Sequence, residues 1–150
     1  MTRPHLRGFT LVELLVVFAI MAVMIAVVPA ALGKLQQSVA YRQTVQDMTT
    51  YLRVARQQSM TEGRYTAVLL NVQEGSYALE GQSPVALDSS LRLEVETAAI
   101  ADDANGVQSI IFLPQGGSTG GSISILRAST ATGVRLRVDW LSGMVTQEAL

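Results

Sequence analysis

Little in this chain could do covalent chemistry. The only histidine is His5 and there is no cysteine. If the first residues are removed, no Ser–His dyad, thiol nucleophile or histidine-held zinc can be built. Carboxylates remain, but nothing in their spacing sets two of them in a cleft, so no enzymatic activity is expected. Three clusters could still bind something. Asp102-Asp103-Ala104-Asn105-Gly106 gathers oxygens beside a turn glycine, as calcium prefers. It lacks the distal acidic ligand of a calcium loop and reads as a plain turn, so no metal and no cofactor are expected. Gly116-Gly117-Ser118-Thr119-Gly120-Gly121 has the glycine content of a phosphate cradle. A phosphate loop needs a helix after it and usually a Lys. Here a strand pattern follows with no Lys near, which favours a flexible inter-strand loop, with Gln115–Gly121 as a candidate partner contact. Arg135 and Arg137 share one strand face after Gly133, with Arg127 a candidate neighbour. They could meet phosphates, or pair across strands with Glu94 and Glu96.

Charge weighs against the phosphate reading. From Gly33 to Leu150 there are 9 Lys+Arg against 11 Asp+Glu, a net of −2. No aromatic residues interleave with the arginines as they do on single-strand-binding surfaces.

The remaining chemically notable residue is Glu13. It heads a run, Leu14–Leu32, in which every residue is apolar, with Pro29 the one break in pattern. From Phe9 to Leu32 is 24 residues. As a helix that is ~36 Å, enough to cross a ~30 Å hydrocarbon layer. Arg3 and Arg7 precede it and set its start in the cytoplasm. A secretory signal peptide, with a cut near Val28-Pro29-Ala30, or a plain anchor would account for the run. Neither accounts for a carboxylate that costs ~2.5 kcal/mol or more near mid-bilayer.

The sequence Gly8-Phe9-Thr10-Leu11-Val12-Glu13 resembles the processing motif of type IV pilins and pseudopilins. The resemblance implies that a prepilin peptidase removes residues 1–8 by cutting after Gly8 and then methylates Phe9. It also implies that Glu13 pairs with the terminal amine of a neighbouring subunit, neutralising two buried charges. Pro29 lies one residue earlier than that family's usual kink proline.

The elements that must carry these residues follow from periodicity. Tyr41, Val45, Met48, Leu52 and Ala55 recur at spacings of 4, 3, 4 and 3, one face of an amphipathic helix. Glu62-Gly63 is its predicted stop, and Gly33 near Pro29 suggests a bend. The expected division is thus 1–8 leader, 9–32 membrane half of the helix, 33–63 amphipathic half and 64–150 β-domain. Beyond Gly63 the period falls to two. Tyr65–Val72 reads as a strand apolar on both faces. Further strands are expected at Tyr77–Glu80, Leu91–Thr97, Gln108–Leu113, Ser122–Arg127, Val134–Trp140 and Met144–Gln147. That makes about seven strands, an α+β fold of antiparallel sheets packed on a long N-terminal helix. Trp140 continues the apolar face of Val134, Leu136 and Val138, and with Tyr77 is expected in the packing.

Ile111–Ile125, with its glycine-rich loop, and Val138–Val145, with Asp139-Trp140 and turn Gly143, are similar to the GspH/FimT-like family. The two resemblances together imply a pilin-like fold and a minor pseudopilin in the inner membrane, its β-domain in the periplasm. Implied partners are other major and minor pseudopilins, the prepilin peptidase/methyltransferase and the inner-membrane assembly platform, with nucleic acid disfavoured. The alternatives are a minor pilin of a type IV pilus touching DNA through Arg135 and Arg137, or an unrelated anchored enzyme.

Overall fold

The computed structural model describes residues 10–97, 99–102, 106–130 and 132–150, with backbone alone at 26–34 and 99–102. The chain divides into two compact units, residues 1–38 and 39–150. In the first, helix α1 (Leu11–Glu62) begins. Its described side chains from Leu11 to Ile25 are exposed all round, Leu11 at 82%. α1 is helical through Pro29 and Gly33, so the predicted division near residue 32 is no break in secondary structure.

In the second unit the helical spacing becomes packing. Val45, Met48, Leu52 and Ala55 are buried, and Tyr41 packs against their cluster. Ser59 extends the buried stripe by one turn, its hydroxyl donating to Arg56 O at 2.8 Å and Leu113 O at 3.2 Å. The helix ends where expected, before Gly63 at φ 65°, a conformation open to glycine at little cost.

Nine strands follow, among the described residues: β1 (Thr66–Asn71), β2 (Ser76–Leu79), β3 (Val85–Ala86), β4 (Leu91–Glu96), β5 (Ala99–Asp102), β6 (Val107–Phe112), β7 (Gly121–Arg127), β8 (Gly133–Val138) and β9 (Val145–Ala149). They form two antiparallel sheets, ordered β3-β2-β1-β6-β5 and β4-β7-β8-β9. Each turns one face to the same core. In the first sheet Leu79, Val68 and Ile110 form one cross-strand row. In the second, Val95, Ile123 and Leu136 do the same. These rows and the α1 stripe make a single hydrophobic cluster, so the fold is α+β as the periodicity implies.

Several expectations are corrected. β3 and β5 were not foreseen. β3 is only 2 residues long and carries no readable period, and β5 takes in Asp102, which reads as turn from its acidic neighbours. The rest of that acidic cluster, Asp103, Ala104 and Asn105, lies outside the described residues. β1 buries one face only, Thr66, Val68 and Leu70, while Ala67 and Leu69 are half-exposed. Trp140 is not in the packing. β8 stops at Val138, the alternation ends with it, and Trp140 stands 67% exposed.

Thr66 is buried, and its Oγ1 has no hydrogen-bond partner among the described residues. A buried hydroxyl without a partner costs about 1–3 kcal/mol. Thr66→Val keeps the shape and β-branching and removes that cost. It is expected to raise the stability of the full chain by about 1 kcal/mol, read from its thermal unfolding midpoint, and a fall would show that the hydroxyl has a partner.

Candidate functional site

The predicted functional residues fall into separate places. Gly8 and Phe9 lie outside the described residues. Glu13 occupies the first turn of α1 and is exposed. Its main-chain N–H donates to Thr10 Oγ1 at 3.2 Å, and its Oε2 accepts from Thr10 N–H at 3.5 Å. That is a capping box, in which each residue satisfies an N–H that the helix leaves free. The Thr-x-x-Glu spacing was a readable signal that family resemblance alone does not bring out. Among the described residues no helix is long and apolar enough to cross a membrane. The expected span, 9–32, includes residue 9 and the side chains of 26–32, which lie outside the described set.

The glycine-rich segment is fastened on both sides, not loose. Toward β6, Leu113 N–H donates to Gly117 O and Thr119 N–H to Ile111 O, each at 2.9 Å, and Ile111 N–H donates to Thr119 Oγ1 at 3.1 Å. Toward the β8–β9 turn, Ser118 N–H donates to Trp140 O at 2.9 Å and its hydroxyl to Asp139 O at 3.0 Å. Gly116, Ser118 and Gly120 are buried, Gly117, Thr119 and Gly121 half-buried, and only Gln115 is fully open to solvent. A strand leaves this loop, so it lacks the helix N-terminus of a phosphate cradle, and the Arg56 guanidinium beside Gly116 donates through its Nε to Ser142 O.

The turn that it holds is built with equal care. Asp139 Oδ1 accepts from Leu141 N–H at 3.2 Å, and from Ser142 N–H and Ser142 Oγ at 2.8 Å each. From α1, Arg56 Nε donates to Ser142 O at 2.9 Å. Gly143 sits at φ 63° under this clamp, and a Cβ there would meet Gly116 O at 2.5 Å. The result is a rigid hairpin tip that displays Trp140, Leu141 and Met144, all 61–70% exposed.

Arg135 and Arg137 do share a face of β8. Arg135 lies between Ser124 of β7 and Glu148 of β9, and its Nε donates to Ser124 Oγ at 3.3 Å. Arg137 lies between Ser122 and Thr146. Glu94 and Glu96 are one strand further away, beyond β7, so the expected direct cross-strand pairing is not made. Ser122 Oγ reaches Glu96 instead, at 3.2 Å. Arg127 is not their neighbour. It follows Ile123 and Ile125 on the other face of β7, and its guanidinium lies 4.3 Å from the centroid of the Tyr41 ring. Among the described residues no group of His, Cys, Asp or Glu is arranged to hold a metal.

Comparison with known proteins decides what this arrangement is. Residues 3–29 match the prokaryotic N-terminal methylation motif, and residues 44–143 match the type II transport protein GspH family. The chain belongs to the GspH family. Type II secretion system protein H of Xanthomonas campestris pv. campestris is 28% identical over 145 residues, 95% of this chain and 83% of that protein. The minor pseudopilin EpsH of the Vibrio cholerae type 2 secretion system shares the fold at TM-score 0.59 and 14% identity, over 73% of this chain and 96% of that one. The type IV minor pilin FimU of Pseudomonas aeruginosa does so at TM-score 0.54 and 13% identity, over 73% and 96%. The α+β arrangement is therefore the pilin-like fold, and the GspH match takes in β8 and the turn after it, ending at Gly143 before β9.

Hydrogen bonds from Ser142 to the Asp139 carboxylate, helped by the Leu141 N–H and the nearby Arg137, hold that carboxyl below the usual aspartate value of 3.8. A depressed folded value means the bonds are fully present above 3.8 and are lost as pH falls through the lower, folded value. The amide resonances of Leu141 and Ser142 are expected to stay fixed near neutral pH and to move together in acid, with a shared midpoint below 3.8. In Asp139→Ala both amides should exchange faster with solvent at every pH. Movement of the wild-type amides near neutrality would show that the turn does not depend on this carboxylate.

Proposed function

We propose that this chain is a minor pseudopilin, a structural subunit of the periplasmic pseudopilus of a type II secretion system. Its GspH-family domain, the relative named type II secretion system protein H and the fold shared with the EpsH minor pseudopilin support this reading. The observation that carries it is the contrast along α1. From Val45 to Ala55 the apolar stripe is covered by the chain's own sheets, whereas from Leu11 to Ile25 every described side chain is exposed. A helix apolar all round needs lipid or other helices around it. A pseudopilin provides both in turn, first the inner membrane and then the core of the fibre. Residues 1–8 would serve as the leader, residues 9–32 as the anchor and the β-domain as the periplasmic, outward-facing part.

The role is one of assembly, not catalysis. Its partners are the prepilin peptidase/methyltransferase acting at Gly8 and Phe9, the inner-membrane assembly platform, and other major and minor pseudopilins. Glu13 neutralises the terminal amine of a neighbouring subunit. Arg135 and Arg137 would be the contacts if the chain were a DNA-touching pilin. Their face, however, carries Glu94, Glu96 and Glu148 in the same cross-strand rows, and a field of mixed sign gives phosphates little attraction.

Two experiments test this. The intact mass of the native protein should correspond to residues Phe9–Leu150 plus one methyl group, with a bulky residue at Gly8 blocking the cut. A wild-type chain that still begins at Met1 in cells containing the peptidase overturns the reading. At Glu13, Val removes the charge and the cap acceptor together, whereas Gln keeps a capping side chain and removes only the charge. Both variants should insert and be cleaved. Both should lower cross-linking to other pseudopilins and secretion by about tenfold or more, the effect of roughly 1.4 kcal/mol. Full activity of Glu13→Gln would show that the cap, not the charge, is what matters.

A further inference from the structure

Of the four sheet edges among the described residues, three carry features that discourage another strand. β3 is 2 residues long, β4 carries Arg92, Glu94 and Glu96, and β5 shifts register between Ile100 and Asp102. Short length, charge and irregularity are the usual protections of an edge. β9 has the least of them. It is 5 residues long, regularly paired along its whole length with β8, and carries the single charge of Glu148.

Its register shows which backbone groups are free. Asp139 N–H donates to Met144 O at 3.0 Å, and Leu150 N–H donates to Gly133 O at 2.9 Å. The antiparallel alternation between these bonds turns the polar groups of Met144, Thr146, Glu148 and Leu150 toward β8. Those of Val145, Gln147 and Ala149 face outward, at the two-residue repeat that only an extended chain can match. Apart from Val145 every side chain of β9 is exposed, so the strand buries little on either face. At its head stands the rigid apolar tip of Trp140, Leu141 and Met144.

We propose that the outer edge of β9 receives an extended segment of a different subunit of the same fibre, which adds to the sheet as a fifth strand and covers the tip. This rests on the pseudopilin reading above. The charge pattern selects the occupant. Glu148 falls at a non-hydrogen-bonded position of the new pair, where side chains approach most closely, so a Lys or Arg belongs opposite it. The segment from Met144 to Leu150 contains no Lys or Arg, so a second copy of β9 cannot supply that cation in any register. The partner segment is therefore extended, has a basic residue facing Glu148 and an apolar residue facing Met144.

The test uses the full chain in cells with its own secretion machinery. A photo-cross-linking side chain replaces Met144, which begins the edge. It should capture another pseudopilin, with the linked residue in an extended segment identified by mass spectrometry. Gln147→Pro removes an outward-facing N–H and leaves the β8 ladder whole. It should lower the yield about tenfold, as should Glu148→Lys, while Gln147→Ala leaves it unchanged. An equal thermal unfolding midpoint for the Pro and Ala variants shows that the fold is kept. An adduct indifferent to Gln147→Pro and Glu148→Lys, or one formed only between two copies of this chain, overturns the proposal. A cross-linker at the exposed helical Leu35 separates the two readings. Pseudopilin adducts there with none at Met144 reject the β9 edge alone, and none at either site rejects the fibre role as well.

Discussion

Apolar helix surface has to be covered, and in this chain one helix poses that problem twice. Between Val45 and Ala55 the surface is a stripe, and two sheets close over it to make a single core. Met48, Leu52 and Ala55 are fully buried there. Truncating a side chain such as Met48 would remove about 2–5 kcal/mol, a large share of the stability of so small a domain. From Leu14 to Ile25 every side chain is apolar and exposed, and one chain leaves that surface uncovered. Everything proposed for the protein outside its β-domain follows from that second requirement.

The periodic parts of the fold were legible because burial imposes the period. The stripe at 4-3-4-3 spacing was correctly placed, and the stop at Gly63 fell where the helix ends. The strands with alternating residues were found to within a residue or two. Two-residue β3 has no period to read, and β5 ends in an aspartate that belongs by composition to a turn. Trp140 shows how the alternation misleads. Extending the Val134–Leu136–Val138 series one step further assumes that the strand continues, whereas Asp139 starts a side-chain-capped turn and frees the next residue to point outward.

The candidate sites were legible to different degrees for the same reason. Glu13 stands out because a charge among apolar residues has a cost that demands a partner. The glycine-rich segment offers no such contrast, and its composition suggests looseness. Its order comes from partners far along the chain, Asp139 and Trp140, whose proximity no local pattern reveals. Arg56 is the extreme case. Four residues after Leu52, it falls beside the apolar stripe where a charge has no evident use, yet it reaches a carbonyl 86 residues away and clamps the hairpin tip. Long-range side-chain-to-backbone bonds of this kind leave no periodic trace.

Glu13 joins the two requirements of the helix. A carboxylate in a low-dielectric setting must be neutralised or hydrogen-bonded, or it shifts to its protonated form. Among the described residues it has the Thr10 N–H, at 3.5 Å, a long contact beside the 2.7–2.9 Å of a charge-assisted bond. One such bond leaves most of the acceptor capacity of the carboxylate unused. The capping box therefore orders the first turn of α1 while leaving Glu13 able to take a stronger partner. On the proposed reading that partner is a neighbour's methylated amine, still a cation, and its arrival would exchange a weak internal bond for an ion pair without unwinding the helix, since the Thr10 hydroxyl still caps the Glu13 N–H. The same residue can then serve the isolated subunit and the assembled one, and the direction of exchange is set by the difference between a neutral and a charged donor.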